Sequence, residues 1–124
     1  MKRILILEDD AFIRDITSEK LAHAGFDVDI SESGEDAVIK IEAGLVDLLL
    51  LDLQLEGMQG TEVLEHMYTN GITKTVPVIV FSNNDEPEIR EKCRQLGAKS
   101  FFVKVNTYHS ELINEINATL SQQT

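Results

Sequence analysis

The sequence predicts an α/β fold built on a parallel β-sheet. Five short apolar runs alternate along the chain with segments whose apolar residues recur at helical spacing. Strict alternation of strands and helices favours a parallel sheet with right-handed crossovers and helices on both faces. With 124 residues the chain has the size of one ordinary domain, so we predict a single domain over residues 1–124.

The five predicted strands are short, and the third is the most apolar. It runs from Val46 to Asp52 with only Asp47 as an internal polar residue, which is typical of a strand buried on both faces. The second strand alternates apolar and acidic residues, which favours a position at the edge of the sheet. In chain order the predicted strands cover residues 3–7, 26–30, 47–52, 76–81 and 100–103.

Each of the five predicted helices has one apolar face. In chain order these faces consist of Ile13, Ile16, Leu21 and Ala24; of Ala37, Val38 and Ile41; of Val63, Leu64 and Met67; of Ile89, Cys93 and Leu96; and of Leu112, Ile113, Ile116 and Leu120. Because Cys93 lies on such a face, we expect a buried core thiol rather than a reactive one.

Residues with known preferences mark the ends of the helices. Ser33 precedes Asp36 by three residues, which predicts a cap on the second helix, and Pro87 is expected in the first turn of the fourth. Residues 121–124 are expected to form a frayed tail. The residues that follow helical segments and predict left-handed helix ends are Gly25, Gly44, Gly71 and Gly97.

Composition excludes several classes of function. The 22 acidic and 11 basic residues give a net charge of −11, which argues against a nucleic-acid or anionic-membrane partner. One cysteine cannot form an intramolecular disulfide, and no signal-peptide core or membrane span is evident, so we predict a cytoplasmic protein. The histidines, expected on the solvated surface because they lack metal-ligand spacing, are His23, His66 and His109.

Acidic residues directly follow the first and third predicted strands. Glu8, Asp9 and Asp10 come after the first, and Asp52 ends the third before a loop with glycines at 57 and 60. Ligand sites of parallel sheets lie at the carboxyl ends of strands, so these acids are expected to converge. Like charges that close require a cation, and oxygen ligands favour Mg²⁺. We expect Asp10, in contrast, mainly to cap the following helix.

Two further polar residues end the fourth and fifth strands. Taken alone, Ser82 could cap the next helix and Lys104 could be a solvated lysine. Together with the acids they form a set suited to phosphoryl transfer, with a carboxylate nucleophile, a cation site, a hydroxyl donor and an ammonium group.

This set of residues resembles the receiver domain of two-component response regulators, and the resemblance covers essentially the whole chain. It implies a doubly wound, flavodoxin-like sheet of five parallel strands in the order 2-1-3-4-5. The matching segments are residues 4–10, 25–26, 50–52, 57–60, 78–82, 96–98 and 102–104.

The resemblance implies a role for each residue of the metal site. Asp52 would be the phosphoacceptor, taking a phosphoryl group from a sensor histidine kinase or a phosphotransfer protein. Glu8, Asp9, Asp52 and the backbone carbonyl of Gln54 would bind Mg²⁺, with Mn²⁺ as an alternative ion.

The resemblance also implies how the signal is passed on. Ser82 and Lys104 would hold the phosphoryl group, and Phe101 would be an aromatic switch residue coupled to Ser82, although core packing explains Phe101 equally well. The protein would be a signalling protein that assists its own phosphorylation and dephosphorylation, not an enzyme. Phosphorylation would be read on helix 4, strand 5 and helix 5 by a downstream protein, an output domain or a second copy in a dimer.

Two positions depart from the family pattern and leave alternatives open. Val105 stands where the family has a cis proline, so a trans bond is expected and the approach of Lys104 is in question. Glu56 replaces a second proline and adds a negative charge. A pseudo-receiver that only binds partners is therefore an alternative. A phosphatase of the haloacid-dehalogenase type is less favoured, because it requires an aspartate at the position of Gln54.

Overall fold

The computed structural model describes residues 1–122 and contains one parallel sheet of five strands. The strand order is β2-β1-β3-β4-β5, which confirms the predicted order and places β2 at an edge. All four strand pairs are parallel. The strands are β1 (Arg3–Leu7), β2 (Asp27–Ser31), β3 (Leu48–Leu51), β4 (Val78–Ser82) and β5 (Ser100–Val103).

Five α-helices connect and follow the strands, as the sequence predicts. Two short 3₁₀ helices, Ile72–Lys74 and Lys104–Asn106, were not predicted, because three-residue turns carry no periodic signal. The α-helices are α1 (Ala11–His23), α2 (Gly34–Glu42), α3 (Gly60–Thr69), α4 (Pro87–Gln95) and α5 (His109–Ser121).

The sheet separates two hydrophobic cores, because successive side chains of a strand point to opposite faces. Leu5 and Leu7 of β1 face a core formed with α2, α3 and α4, which includes the buried Cys93. Ile4 and Ile6 face a core formed with α1 and α5. The helices therefore cover both faces, and β3 and β4 are buried throughout.

Strand boundaries differ from the predicted ones where a local contact competes with the sheet. β2 begins at Asp27 because Phe26 belongs to the turn after α1, where its N–H donates to the Leu21 carbonyl at 3.2 Å. β4 begins at Val78 because the N–H of Val76 donates to the Ile72 carbonyl at 2.8 Å and so completes the preceding turn.

The predicted helix ends are confirmed. The Asp10 carboxylate caps α1 by accepting the N–H groups of Phe12 and Ile13 at 3.0 and 3.2 Å. The Ser33 hydroxyl accepts the N–H of Asp36 at 3.2 Å, and Pro87 begins α4. The four glycines predicted at helix ends all have positive φ, between 73° and 97°.

Two predictions about the periphery are corrected. His66 and His109 are partly buried rather than fully solvated, because one packs against α2 near Glu42 and the other hydrogen-bonds Thr17 of α1. His23 is exposed as predicted. The predicted frayed tail is also corrected in part, since Ser121 belongs to α5, and residues 123–124 lie outside the described residues.

Within residues 1–122, no helix combines the length and the apolar character needed to cross a membrane.

Candidate functional site

Three carboxylates meet at the carboxyl edge of the sheet, next to the ends of β1 and β3. Oxygen atoms of Glu8, Asp9 and Asp52 all lie within 4.8 Å of one another. β1 and β3 are neighbours in the sheet, with Leu7 paired to Leu51, so the residues that follow them emerge side by side. Glu8 and Asp52 are buried, whereas Asp9 is exposed to solvent. The predicted convergence of these acids is confirmed.

Lys104 lies against the two buried carboxylates. Its Nζ is 3.1 Å from Asp52 Oδ2 and also contacts Glu8 Oε1. Only 10% of the Lys104 side chain is exposed, so this pair is shielded from the screening that weakens surface salt bridges. The peptide bond between Lys104 and Val105 is trans, as expected, and all other peptide bonds among residues 1–122 are trans as well. Lys104 therefore reaches Asp52 without a proline after it.

Burial and neighbouring charge change the protonation of Glu8. Burial raises its pKa to about 7, and the negative charge of Asp52 acts in the same direction, while the hydrogen bond from Lys104 opposes both. When all three carboxylates are ionised, one lysine does not balance them. A cation bound between them would relieve this repulsion.

The loop between β3 and α3 is tied to the site through backbone groups. The N–H of Gln54 donates to Asp52 Oδ1 at 3.2 Å, and the N–H of Glu56 donates to Asp9 Oδ2 at 3.2 Å. Gly60, the first residue of α3, packs so closely that a Cβ there would lie 2.2 Å from the Asp52 carbonyl oxygen. Only glycine fits at this position without displacing the backbone of Asp52.

Ser82 and Phe101 lie near this edge without contacting the carboxylates. Ser82 is completely buried at the end of β4, and its hydroxyl accepts the N–H of Asn84 at 3.2 Å. Ser82 is not the cap of α4, because that helix begins at Pro87, five residues after Ser82. The half-buried ring of Phe101 packs on the α4 side of β5, with Arg90 Cζ 4.8 Å from its centroid.

The donor set fits a hard divalent cation. All candidate ligands are oxygen atoms, namely the carboxylates of Glu8, Asp9 and Asp52, and the carbonyl of Gln54 lies on the same loop. The site offers few protein ligands, and Asp9 is exposed to solvent. Room therefore remains for the water molecules that Mg²⁺ retains. The residues therefore fit the predicted ion.

Comparison with known proteins assigns the family. The family model of the response regulator receiver domain matches residues 4–117. The chain belongs to this family. The receiver domain is 30% identical over 119 residues to the phosphate regulon transcriptional regulatory protein PhoB of Escherichia coli K12. The aligned region covers 96% of this chain and 52% of that protein. It is also 30% identical over 123 residues to the response regulator ArlR of Staphylococcus saprophyticus. That alignment covers 99% of this chain and 54% of the relative. The chain thus spans about half the length of these curated relatives.

Solved structures support the same fold. A CheY-like receiver domain protein from Methanospirillum hungatei superimposes with a TM-score of 0.91 at 29% identity, covering 99% of this chain and 96% of that one. The receiver domain of Francisella response regulator 1452 also gives a TM-score of 0.91, with each chain covered completely, and at 22% identity it supports the fold alone.

Two residues of the site region were not singled out from the sequence. Thr17 is buried in α1 beside Glu8 and Asp52, and its hydroxyl lies 3.0 Å from His109 Nε2. The only signal for it is a polar residue between the apolar positions of α1. Asn83 accepts the N–H of Val105 at 3.0 Å, and its only signal is that it directly follows Ser82 at a strand end.

Proposed function

We propose that this receiver domain accepts a phosphoryl group on Asp52 in a Mg²⁺-dependent reaction and passes the signal to a partner by changing conformation. The donor would be the phosphohistidine of a sensor kinase or of a phosphotransfer protein. The observation that carries the proposal is the contact of 3.1 Å between Lys104 Nζ and Asp52 Oδ2 beside two further acids. The net charge of −11 also suits a divalent cation or a basic protein surface as a partner. We propose a cytoplasmic location.

The transfer consists of one bond formed and one broken. A carboxylate oxygen of Asp52 attacks phosphorus, the phosphorus–nitrogen bond to the donor imidazole breaks, and its electron pair stays on that nitrogen. Glu8, Asp9, Asp52 and the Gln54 carbonyl would hold the ion, with Mn²⁺ as an alternative. The bound ion supplies charge neutralisation for the phosphoryl oxygens.

Lys104 and Ser82 are proposed to act on the same phosphoryl group. The Lys104 ammonium, already beside Asp52, would pair with a phosphoryl oxygen and offset its charge in a site that excludes water. The Ser82 hydroxyl, which now accepts from Asn84, would donate to another oxygen after a small movement of the loop after β4. That movement is the proposed origin of the switch that involves Phe101.

A direct test is phosphorylation by a small acyl phosphate with Mg²⁺, followed by intact-protein mass spectrometry. We expect the wild type to gain one phosphoryl group, and to gain none when EDTA removes the ion. Asp52→Asn should remain unlabelled, while Asp10→Asn, which keeps the α1 cap, should be labelled like the wild type. An unlabelled wild type, or an Asp52→Asn variant labelled as fast as the wild type, would contradict the proposal.

The alternatives from the sequence receive less support. A domain that only binds partners does not require a buried lysine paired with Asp52. A phosphatase of the haloacid-dehalogenase type needs a carboxylate at position 54, and Gln54 is an exposed amide. Steady release of phosphate from an ester substrate would support the phosphatase instead.

We further propose that the face formed by α4, β5 and α5 contacts the downstream protein, an attached output domain or a second copy. A groove of about 430 Å³ lies between α4 and β5, and Arg90, Arg94 and Lys99 contribute to it. On α5 of the same face, Glu111 and Glu115 are the charged residues. Two copies related by a twofold axis could pair the basic and acidic sides. Sedimentation of the phosphorylated domain, compared with an Arg90→Glu variant, would measure this association.

A further inference from the structure

One hydrogen bond joins the two loops that flank the phosphoryl site on the β4 and β5 side. The backbone N–H of Val105 donates to Asn83 Oδ1 at 3.0 Å. Asn83 directly follows Ser82 at the end of β4, and Val105 directly follows Lys104 at the end of β5. The bond therefore connects the loop of the hydroxyl residue to the loop of the lysine.

The position of this hydrogen bond restricts Lys104 itself. The N–H of Val105 belongs to the peptide unit whose other end is the Cα of Lys104, so holding it fixes the backbone direction from which the lysine side chain starts. The far end of that side chain contacts Glu8 and Asp52. Because a lysine has a long flexible stem, a small rotation of this peptide unit moves Nζ relative to Asp52.

Packing does not hold this part of the loop. Val105 is 76% exposed, so burial contributes little to its placement. The other side of the loop is held by Thr107, whose hydroxyl donates to the Val103 carbonyl at 2.8 Å. Asn83 supplies the side-chain anchor on the side that faces the β4 loop.

From these contacts we propose that Asn83 is a positioning residue for Lys104, acting through the N–H of Val105. The inference rests on the proposed phosphoryl transfer to Asp52 for its functional consequence. Its structural part, the placement of the Lys104 ammonium between Glu8 and Asp52, stands independently of that reaction.

The test compares Asn83→Ala with Asn83→Asp, which keeps an acceptor oxygen at the same place but adds a negative charge. We expect Asn83→Ala to slow labelling by a small acyl phosphate roughly 2- to 10-fold, the effect of one neutral hydrogen bond. Because the added charge itself acts on the labelling rate, Asn83→Asp is compared by hydrogen exchange of the Val105 amide, which should stay slow in Asn83→Asp and become faster in Asn83→Ala. Asn106→Ala, in the loop of Lys104 and Val105 and exposed like Asn83, is the matched control and should react like the wild type. Urea unfolding should show that all three variants are folded.

A double-mutant cycle with Lys104→Ala separates positioning from a general structural role. If Asn83 acts through Lys104, Asn83→Ala should cause no further slowing when Lys104 is already absent. In the metal-free protein, the ¹⁵N signal of the Lys104 ammonium should broaden or shift in Asn83→Ala and stay in Asn106→Ala. Unchanged labelling and an unchanged ammonium signal in Asn83→Ala would overturn the inference. A wild type that is never labelled would overturn the proposed function alone, and the ammonium signal would then decide the positioning of Lys104.

Discussion

At the scale of single residues, the site is shaped by an excess of negative charge. Two buried carboxylates share one ammonium group, and the exposed Asp9 adds a third acid within 4.8 Å. Burial of Glu8, together with the charge of Asp52, raises the Glu8 pKa to about 7, so full ionisation of the three acids is unfavourable. A site of this kind is expected to gain free energy when a divalent cation binds.

Magnesium should therefore stabilise the folded domain, and Asp9 should be required for the effect. At an ion concentration about 100 times the dissociation constant, binding adds about 2.7 kcal/mol to the free energy of unfolding. Asp9→Asn should lose most of this gain while folding normally, because Asp9 is exposed. Urea unfolding with Mg²⁺, and with NaCl at equal ionic strength, measures it. Asp10→Asn is the control, and equal Mg²⁺ responses in both variants would exclude Asp9 as a ligand.

Gly60 gives a second prediction at this scale. A methyl group there would lie 2.2 Å from the Asp52 carbonyl oxygen and 2.7 Å from the Leu53 Cα, and neither backbone atom can move cheaply. We expect Gly60→Ala to lower the free energy of unfolding by about 1–3 kcal/mol and to slow phosphorylation. Glu65→Ala, on an exposed position of the same helix, should leave both quantities close to wild type. An equally stable Gly60→Ala variant would contradict the close approach.

At the scale of elements, α1 and α5 are joined by a partly buried polar contact. Thr17 Oγ1 lies 3.0 Å from His109 Nε2, and the His109 ring packs edge-on against Phe81 with their centroids 6.2 Å apart. Burial lowers the pKa of His109, and the positive charge of Lys20 on α1 lowers it further. The neutral imidazole is therefore the form that suits the folded state.

This contact predicts a loss of stability in acid. Because the pKa of His109 is lower in the folded state, the unfolded chain binds more protons below its ordinary value of 6.5. The contribution is complete above that value and is lost as the pH falls through the folded pKa. Protonation of Glu8, whose folded pKa is about 7, acts in the opposite direction over this range, so the quantity to measure is the difference between variants. Urea unfolding between pH 7.5 and 5 should show that the free energy of unfolding of the wild type falls relative to that of His109→Gln. His23→Gln, at an exposed position, should follow the wild type, and an identical pH dependence in all three would exclude the contact as the cause.

The elements also show which parts of the structure the sequence could predict. Strands and helix ends were predictable because apolar period, caps and glycines are local signals, as for Asp10 and Ser33. The hydrogen bond between Asn83 and Val105 was not, because side-chain partners across two loops leave no periodic trace. The same is true of His109, whose burial depends on the packing of α5 against α1.

At the scale of the whole molecule, topology brings the site together. β1 and β3 are adjacent although α1, β2 and α2 separate them in sequence, so Glu8 and Asp52, which are 44 positions apart in the chain, become neighbours only after the sheet forms. The carboxyl edge was predictable from the alternation of elements, but the distance of 3.1 Å between Lys104 and Asp52 depends on the trans loop after β5.

The net charge of −11 predicts that the domain as a whole is stabilised by salt. Self-repulsion between acids opposes the compact state, and raising the ionic strength shortens the screening length from about 30 Å at 0.01 M to about 10 Å at 0.1 M. We expect NaCl over this range to raise Tm by a few degrees, equivalent to about 1 kcal/mol. Asp9→Asn should keep this response to NaCl while losing the additional rise with Mg²⁺ at matched ionic strength. A Tm that falls with NaCl would show that favourable ion pairs, such as Lys40 with Asp36, outweigh the repulsion.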